Sequence, residues 1–207
     1  MSKVQVDTID TRSGTSTMQI GSTNTSTINI GVSGDTVNIP SGVTIANAGT
    51  ATGFGLDGTP NFLVYRSSSD QTISNNTYTK VQFQSESYDS DNAYDNSSNY
   101  RFTVPSGEGG KYALYSHVWM RGTDVTMMNY YGLAFYKNGS AIWEDHWNFT
   151  NSDIRSAGAS IALNANLSAG DYIEVYGRIN INSGSPSFGN DSLSSVPTTW
   201  FQGYRLA

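Results

Sequence analysis

Apolar and polar positions alternate with a period of two along much of this chain, the spacing at which a pleated strand sends side chains to opposite faces. The stretch 110–121 puts Tyr112, Leu114, Ser116, Val118 and Met120 on one face and Ala113, Tyr115, His117, Trp119 and Arg121 on the other. Over 172–181, Ile173, Val175, Gly177, Ile179 and Ile181 oppose Tyr172, Glu174, Tyr176, Arg178 and Asn180. Near the end, Trp200, Gln202, Tyr204 and Leu206 alternate with Phe201, Gly203, Arg205 and Ala207, which predicts a last strand tied into a sheet. Shorter runs at 62–67, 78–83, 131–136 and 160–163 predict further strands. Asn138-Gly139 accepts the two positive φ angles of a type I′ turn and predicts a hairpin from 131–136 into Ala141, Ile142 and Trp143. No window shows sustained helical spacing, so 59–207 is expected to be an all-β sandwich or jelly roll.

A different pattern fills 18–58. MQIG, INIG, VNIP and VTIA recur at Met18, Ile28, Val37 and Val43, separated by turn-prone Ser, Thr, Asn and Gly. A strand that short cannot bury its apolar side chains alone, and repeats of this kind gain stability by stacking on neighbours. The stripe is therefore expected to be closed by other chains, most simply by copies of itself, as a trimeric β-shaft; the alternative is a flexible low-complexity linker. Residues 46–58 are Gly/Ala-rich with a lone Phe54 and read as a neck, and Thr59-Pro60 opens the distal domain. Residues 1–17 hold one short alternating piece, Val4, Val6 and Ile9, and are expected to be an attachment segment ordered by a partner, or else a frayed terminus. The predicted organisation is thus 1–17 attachment, 18–58 shaft and neck, and 59–207 head.

Composition narrows the function. A net charge of −6 with only 11 Lys and Arg argues against nucleic-acid binding and against anionic membrane surfaces. The chain has no cysteine, which removes disulfides and thiolate metal sites. No apolar run long enough to span a membrane is present, and 1–17 lacks the apolar stretch of a secretory signal. Such a protein is expected to reach an exterior by lysis or by assembly onto a particle.

Catalytic constellations are missing. There is no G-x-S-x-G, no phosphate loop and no thiol nucleophile. His117 alternates with Tyr115 and Trp119 and is read as a packed or interface histidine; neither it nor His146 has a second histidine at metal-ligand spacing. Asp89, Asp91 and Asp95 begin like a calcium loop, but Ala93, Tyr94 and Tyr100 stand where an EF-hand needs a ligand, Gly and Glu. No enzyme activity, cofactor or metal is expected. Binding through loops is the remaining chemistry. Trp143, His146, Trp147, Asn148 and Phe149 form one aromatic and polar cluster between strands, and Tyr88, Asp91 and Tyr94 belong to a second polar stretch. Such residues suit sugar rings and anchor protein contacts; the competing role for each is packing in a subunit interface.

The head resembles the globular domain of complement C1q, in the tumour-necrosis-factor-like superfamily. The resemblance rests on Phe62, then Tyr94-Asp95, Phe102, Val104-Pro105, Gly110 and Tyr112, then Leu133 with Lys137-Asn138-Gly139. It continues through Leu163, Leu167, Ala169-Gly170-Asp171, Ile173 and Val175 to Trp200-Phe201-Gln202-Gly203-Tyr204. Departures are the extra Ser106-Gly107-Glu108-Gly109 and a longer segment over 143–156. The resemblance implies a ten-stranded jelly roll that forms homotrimers. The N-terminal repeats resemble those near the N-termini of fibre-like virion proteins of marine tailed phages. Together these imply a homotrimeric virion fibre or spike, made in the host cytoplasm and placed on the tail or capsid surface. It would be joined to other virion proteins through 1–17 and would bind a host-surface glycan or protein with its head. The alternative is a capsid decoration or head-fibre protein without receptor recognition.

Overall fold

The computed structural model describes residues 20, 23–31, 33–44, 59–67, 69–122, 128–149, 153–191 and 193–206. The expected attachment segment 1–17 and the neck 46–58 lie outside them. The chain divides into two compact units, Met1–Thr50 and Ala51–Ala207.

In the N-terminal unit the described residues contain turns at 23–24, 33–34 and 41–42 and no strand. Gly31, Gly34 and Gly42 take φ of 83°, 97° and 85°, a region open to glycine at little cost. Ile20, Ile28, Ile30, Val37, Ile39 and Val43 are all exposed, Ile30 to 70%. The expected strands at 28–31 and 37–40 are thus absent within one chain. The physical reason is that a strand needs a ladder partner, and pieces this short supply none to each other.

The second unit is all-β, with every pairing antiparallel and no helix among the described residues. In chain order its strands are β1 (Asn61–Tyr65), β2 (Gln71–Thr72), β3 (Thr79–Lys80), β4 (Ser85–Asp89), β5 (Tyr94–Asp95), β6 (Arg101–Thr103) and β7 (Gly110–Arg121). There follow β8 (Met128–Lys137), β9 (Ser140–Asn148), β10 (Ser156–Leu167), β11 (Tyr172–Ile181), β12 (Ser187–Gly189) and β13 (Trp200–Arg205). Setting aside β2, β3 and β5, of two residues each, leaves ten.

The first sheet runs β2-β12-β7-β13-β1-β4, with β10 on the other edge of β7; the second runs β5-β6-β11-β8-β9, with β3 also on β11. Their inner faces meet in one aromatic and aliphatic core. Phe62 stacks on Phe102 across the sandwich at 4.6 Å and meets Phe201 edge-on at 4.9 Å. Tyr112, Leu114, Ser116, Val118 and Met120 are all buried, as the alternation predicts, and so is the Ile173–Ile181 set. The predicted turn has φ of 52° at Asn138 and 80° at Gly139.

Two elements are longer than their pattern predicts. β10 spans twelve residues and pairs with β7 along its whole length, where only 160–163 reads as a strand. Ala157, Gly158, Ala159, Ala162 and Ala165 supply little apolar contrast, so tertiary pairing decides the element. β9 likewise runs through Asn148, so the cluster expected between strands lies mostly within one.

Candidate functional site

The outer face of the second sheet carries the densest polar and aromatic constellation. Alternation on β11 turns Tyr176 and Arg178 outward, on β8 Tyr130, Gly132 and Tyr136, and on β9 Glu144, His146 and Asn148. Tyr78, from the segment before β3, lies over Gly132. A Cβ added at Gly132 would come 3.0 Å from His146 Cδ2 and 3.1 Å from Tyr78 Oη, so glycine lets both side chains settle on the sheet. The Tyr78 hydroxyl donates to Glu144 Oε2 (3.3 Å) and lies 2.8 Å from His146 Nε2. Burial, then the Glu144 charge, pushes the Tyr78 phenol far up, so it stays a neutral donor.

Beside this group, Arg178 Nε donates to Asn76 Oδ1 (2.9 Å), which also accepts from the Tyr130 hydroxyl. Asn76 is itself held by its backbone N–H on the Ile179 carbonyl (2.7 Å). The guanidinium carbon sits 5.6 Å from the Tyr78 ring centre and 5.1 Å from that of Tyr130, within cation–π range. Tyr130, His146, Asn148 and Arg178 line an open depression of ≈ 250 Å³.

The predicted binding residues separate. His146 and Asn148 come together on this depression. Trp143 is half exposed and paired with Phe135, on the opposite side of β9. Trp147 and Phe149 pack on the Tyr131 ring at 4.9 and 5.3 Å, which makes them part of the sandwich edge. Tyr88 is exposed on β4 and Asp91 lies in the turn after it. Tyr94, at 4% exposure, stacks on Phe62 in the core and, with Asp91 and Arg101, also lines an open pocket of ≈ 600 Å³. Its hydroxyl has no partner among the described residues, and burial raises its pKa well above the ordinary value. The loop acids are occupied by the loop itself. Asp89 Oδ2 accepts from Tyr94 N (2.7 Å), Asp91 Oδ2 from Ser90 Oγ (2.5 Å), and Asp95 from the N–H groups of 97–99. Those bonds hold the Asp95 carboxyl well below the usual range. No group of three His, Cys, Asp or Glu able to hold a metal occurs among the described residues.

A second surface, on the outer face of the first sheet, is aromatic. Tyr115 stacks with Tyr204 at 6.4 Å and His117 with Trp200 at 6.3 Å. His117 Nδ1 bonds the Thr198 carbonyl, and its ring lies over Gly158, the packed position its alternation predicts. Next to them Leu63, Tyr65, Val196, Pro197 and Trp200 line a shallow groove of ≈ 580 Å³.

No protein-family model and no curated protein matches the chain. Solved structures do. Eiger TNF from S. frugiperda superposes with a TM-score of 0.50 at 12% identity, over 72% of this chain and 92% of that one. The second unit has the tumour-necrosis-factor fold. The globular domain of zebrafish complement 1qA matches at TM-score 0.47 and 16% identity, over 72% of this chain and 98% of its own. Murine APRIL at pH 5.0 gives 0.47 and 18%, over 71% and 98%. At such identities the likeness speaks for the fold alone. The core explains why the motif residues were legible: Phe62, Tyr94, Phe102, Tyr112, Leu133, Leu167, Ile173, Val175 and Phe201 are all buried. Tyr78, Tyr130, Arg178 and Asn76 escaped, since three separate segments bring them together; the outward set of 172–181 was the one available signal.

Proposed function

We propose that the chain is a homotrimeric virion fibre or spike of a tailed phage, whose distal jelly roll binds a host-surface receptor. The observation that carries this reading is the row of exposed Ile and Val side chains, Ile20 to Val43, in a unit whose described residues form no strand. Apolar repeats of this regularity are closed by neighbouring copies. The aromatic outer face of the first sheet supports a matching association of the heads, because Tyr and Trp enrich subunit contacts. A three-fold head on a three-fold shaft involves no symmetry mismatch, and cyclic contacts close on themselves.

In this reading residues 1–17 attach to other virion proteins and 18–58 form the shaft. The head works by adhesion rather than catalysis, through weak sites repeated three times, whose tethering raises effective concentration. The test is adsorption of particles lacking only this protein. Adsorption is expected to fall sharply and to be restored by the purified full chain. Normal adsorption by such particles would sink receptor binding and favour a capsid decoration or head fibre.

A further inference from the structure

We propose that the depression formed by Tyr130, His146, Asn148 and Arg178 is a carboxylate site for an acidic sugar, such as a uronic acid unit of a surface polysaccharide. The inference rests on the receptor reading above and names the chemistry of the receptor. In a chain of net charge −6, four basic side chains sit against carboxylates, Lys80 on Glu174, Arg121 on Asp70, Lys137 on Asp171 and Arg205 on Glu108, while Arg101 and Lys111 form no such pair among the described residues. Arg178 forms no such pair among the described residues. Its Nε is held by Asn76, two tyrosine rings flank it, and its Nη atoms have no acceptor among those residues. A guanidinium fixed in this way presents the planar fork that matches a carboxylate through two parallel hydrogen bonds.

The neighbours suit the rest of a sugar. Asn148 offers an amide donor and acceptor and His146 a ring edge, both on the rigid strand β9. An open depression of ≈ 250 Å³ has room for one pyranose ring. A neighbouring acid, Glu144, is engaged: it accepts from Tyr78 and lies 3.6 Å from His146 Nε2. Gly132 lets the Tyr78 and His146 side chains lie close against the sheet.

Saturation-transfer NMR on the full chain, with glucuronic acid and with glucose as its neutral counterpart, tests this. Glucuronate is expected to bind and glucose to bind far more weakly. Arg178→Gln should weaken glucuronate by about tenfold or more through loss of a charge-assisted contact, and Arg178→Lys should restore only part of it. Asn148→Ala, on the exposed edge strand, serves as a second variant and should cost severalfold. Equal binding of the two sugars, no transfer to glucuronate, or an unaffected Arg178→Gln protein of normal melting temperature would overturn the site. If labelled wild-type protein still bound host cells in that case, receptor binding would stand and only the acidic-sugar assignment would fall; without cell binding, both would fall.

Discussion

Gly177 stands on the inner face of the second sheet, close against Phe188 and Met120 of the first. A Cβ there would lie 2.6 Å from Phe188 Cζ and 3.2 Å from Met120 Cε, neither free to retreat from a filled core. Gly177→Ala is therefore predicted to destabilise the protein by about 1–3 kcal/mol, read from the denaturant midpoint at unchanged slope. Asp171 shows how two separate motifs lock together. It accepts from Asn138 Nδ2 (2.7 Å) and Ser168 N (2.8 Å) and pairs with Lys137 at 2.7 Å, while Tyr172 N donates to Asn138 Oδ1 (2.9 Å). The Lys137 contact, then the Ser168 and Asn138 bonds, lower its pKa from 3.8 to about 2. A depressed carboxyl stabilises the fold above the unfolded pKa, and that contribution is lost as pH falls through about 4 to about 2. Asp171→Asn should lower the melting temperature near neutrality and flatten its decline over that window, as thermal melts at a series of pH values would show. The K-N-G and A-G-D signatures were visible along the chain, but their docking was not, because thirty-odd residues separate them. The burial of the Tyr94 ring was hidden for a related reason: periodicity places a tyrosine on a face without saying whether that face is covered.

At the scale of elements, legibility follows side-chain contrast. β7, β11 and β13 alternate large apolar residues with polar or aromatic ones, so the two faces of each strand could be separated from spacing alone. β10 alternates alanine with serine and asparagine, and its extent is set by twelve pairs with β7. β9 read as a loop beyond Trp143 because nearly all of it is exposed on a sheet edge, where no burial pattern is imposed. The outward faces of β7 and β13 hold the rings assigned to the proposed association of heads. Tyr115→Arg places a charge among Tyr204, Trp200 and their neighbours and is predicted to dissociate the heads without unfolding them. Sedimentation of a 59–207 fragment would show the mass fall while its near-ultraviolet dichroism persists. An unchanged oligomer would remove that face from the contact.

For the whole molecule, the head buries its own core, and the described residues of the N-terminal unit do not. Phe62, Phe83, Phe102, Phe135 and Phe201 are essentially inaccessible, while Ile20, Ile28, Ile30, Val37, Ile39 and Val43 stay in water. One sequence thus contains a domain that buries its own core and repeats whose described Ile and Val side chains are exposed. The repeats read as strands only in their spacing, and their described residues form none within one chain. The most direct measurement is the solution mass of the full chain by light scattering over a range of concentrations. The account predicts three times 22.4 kDa, independent of dilution. A chain that remained at 22.4 kDa throughout would contradict it and return the repeats to a linker.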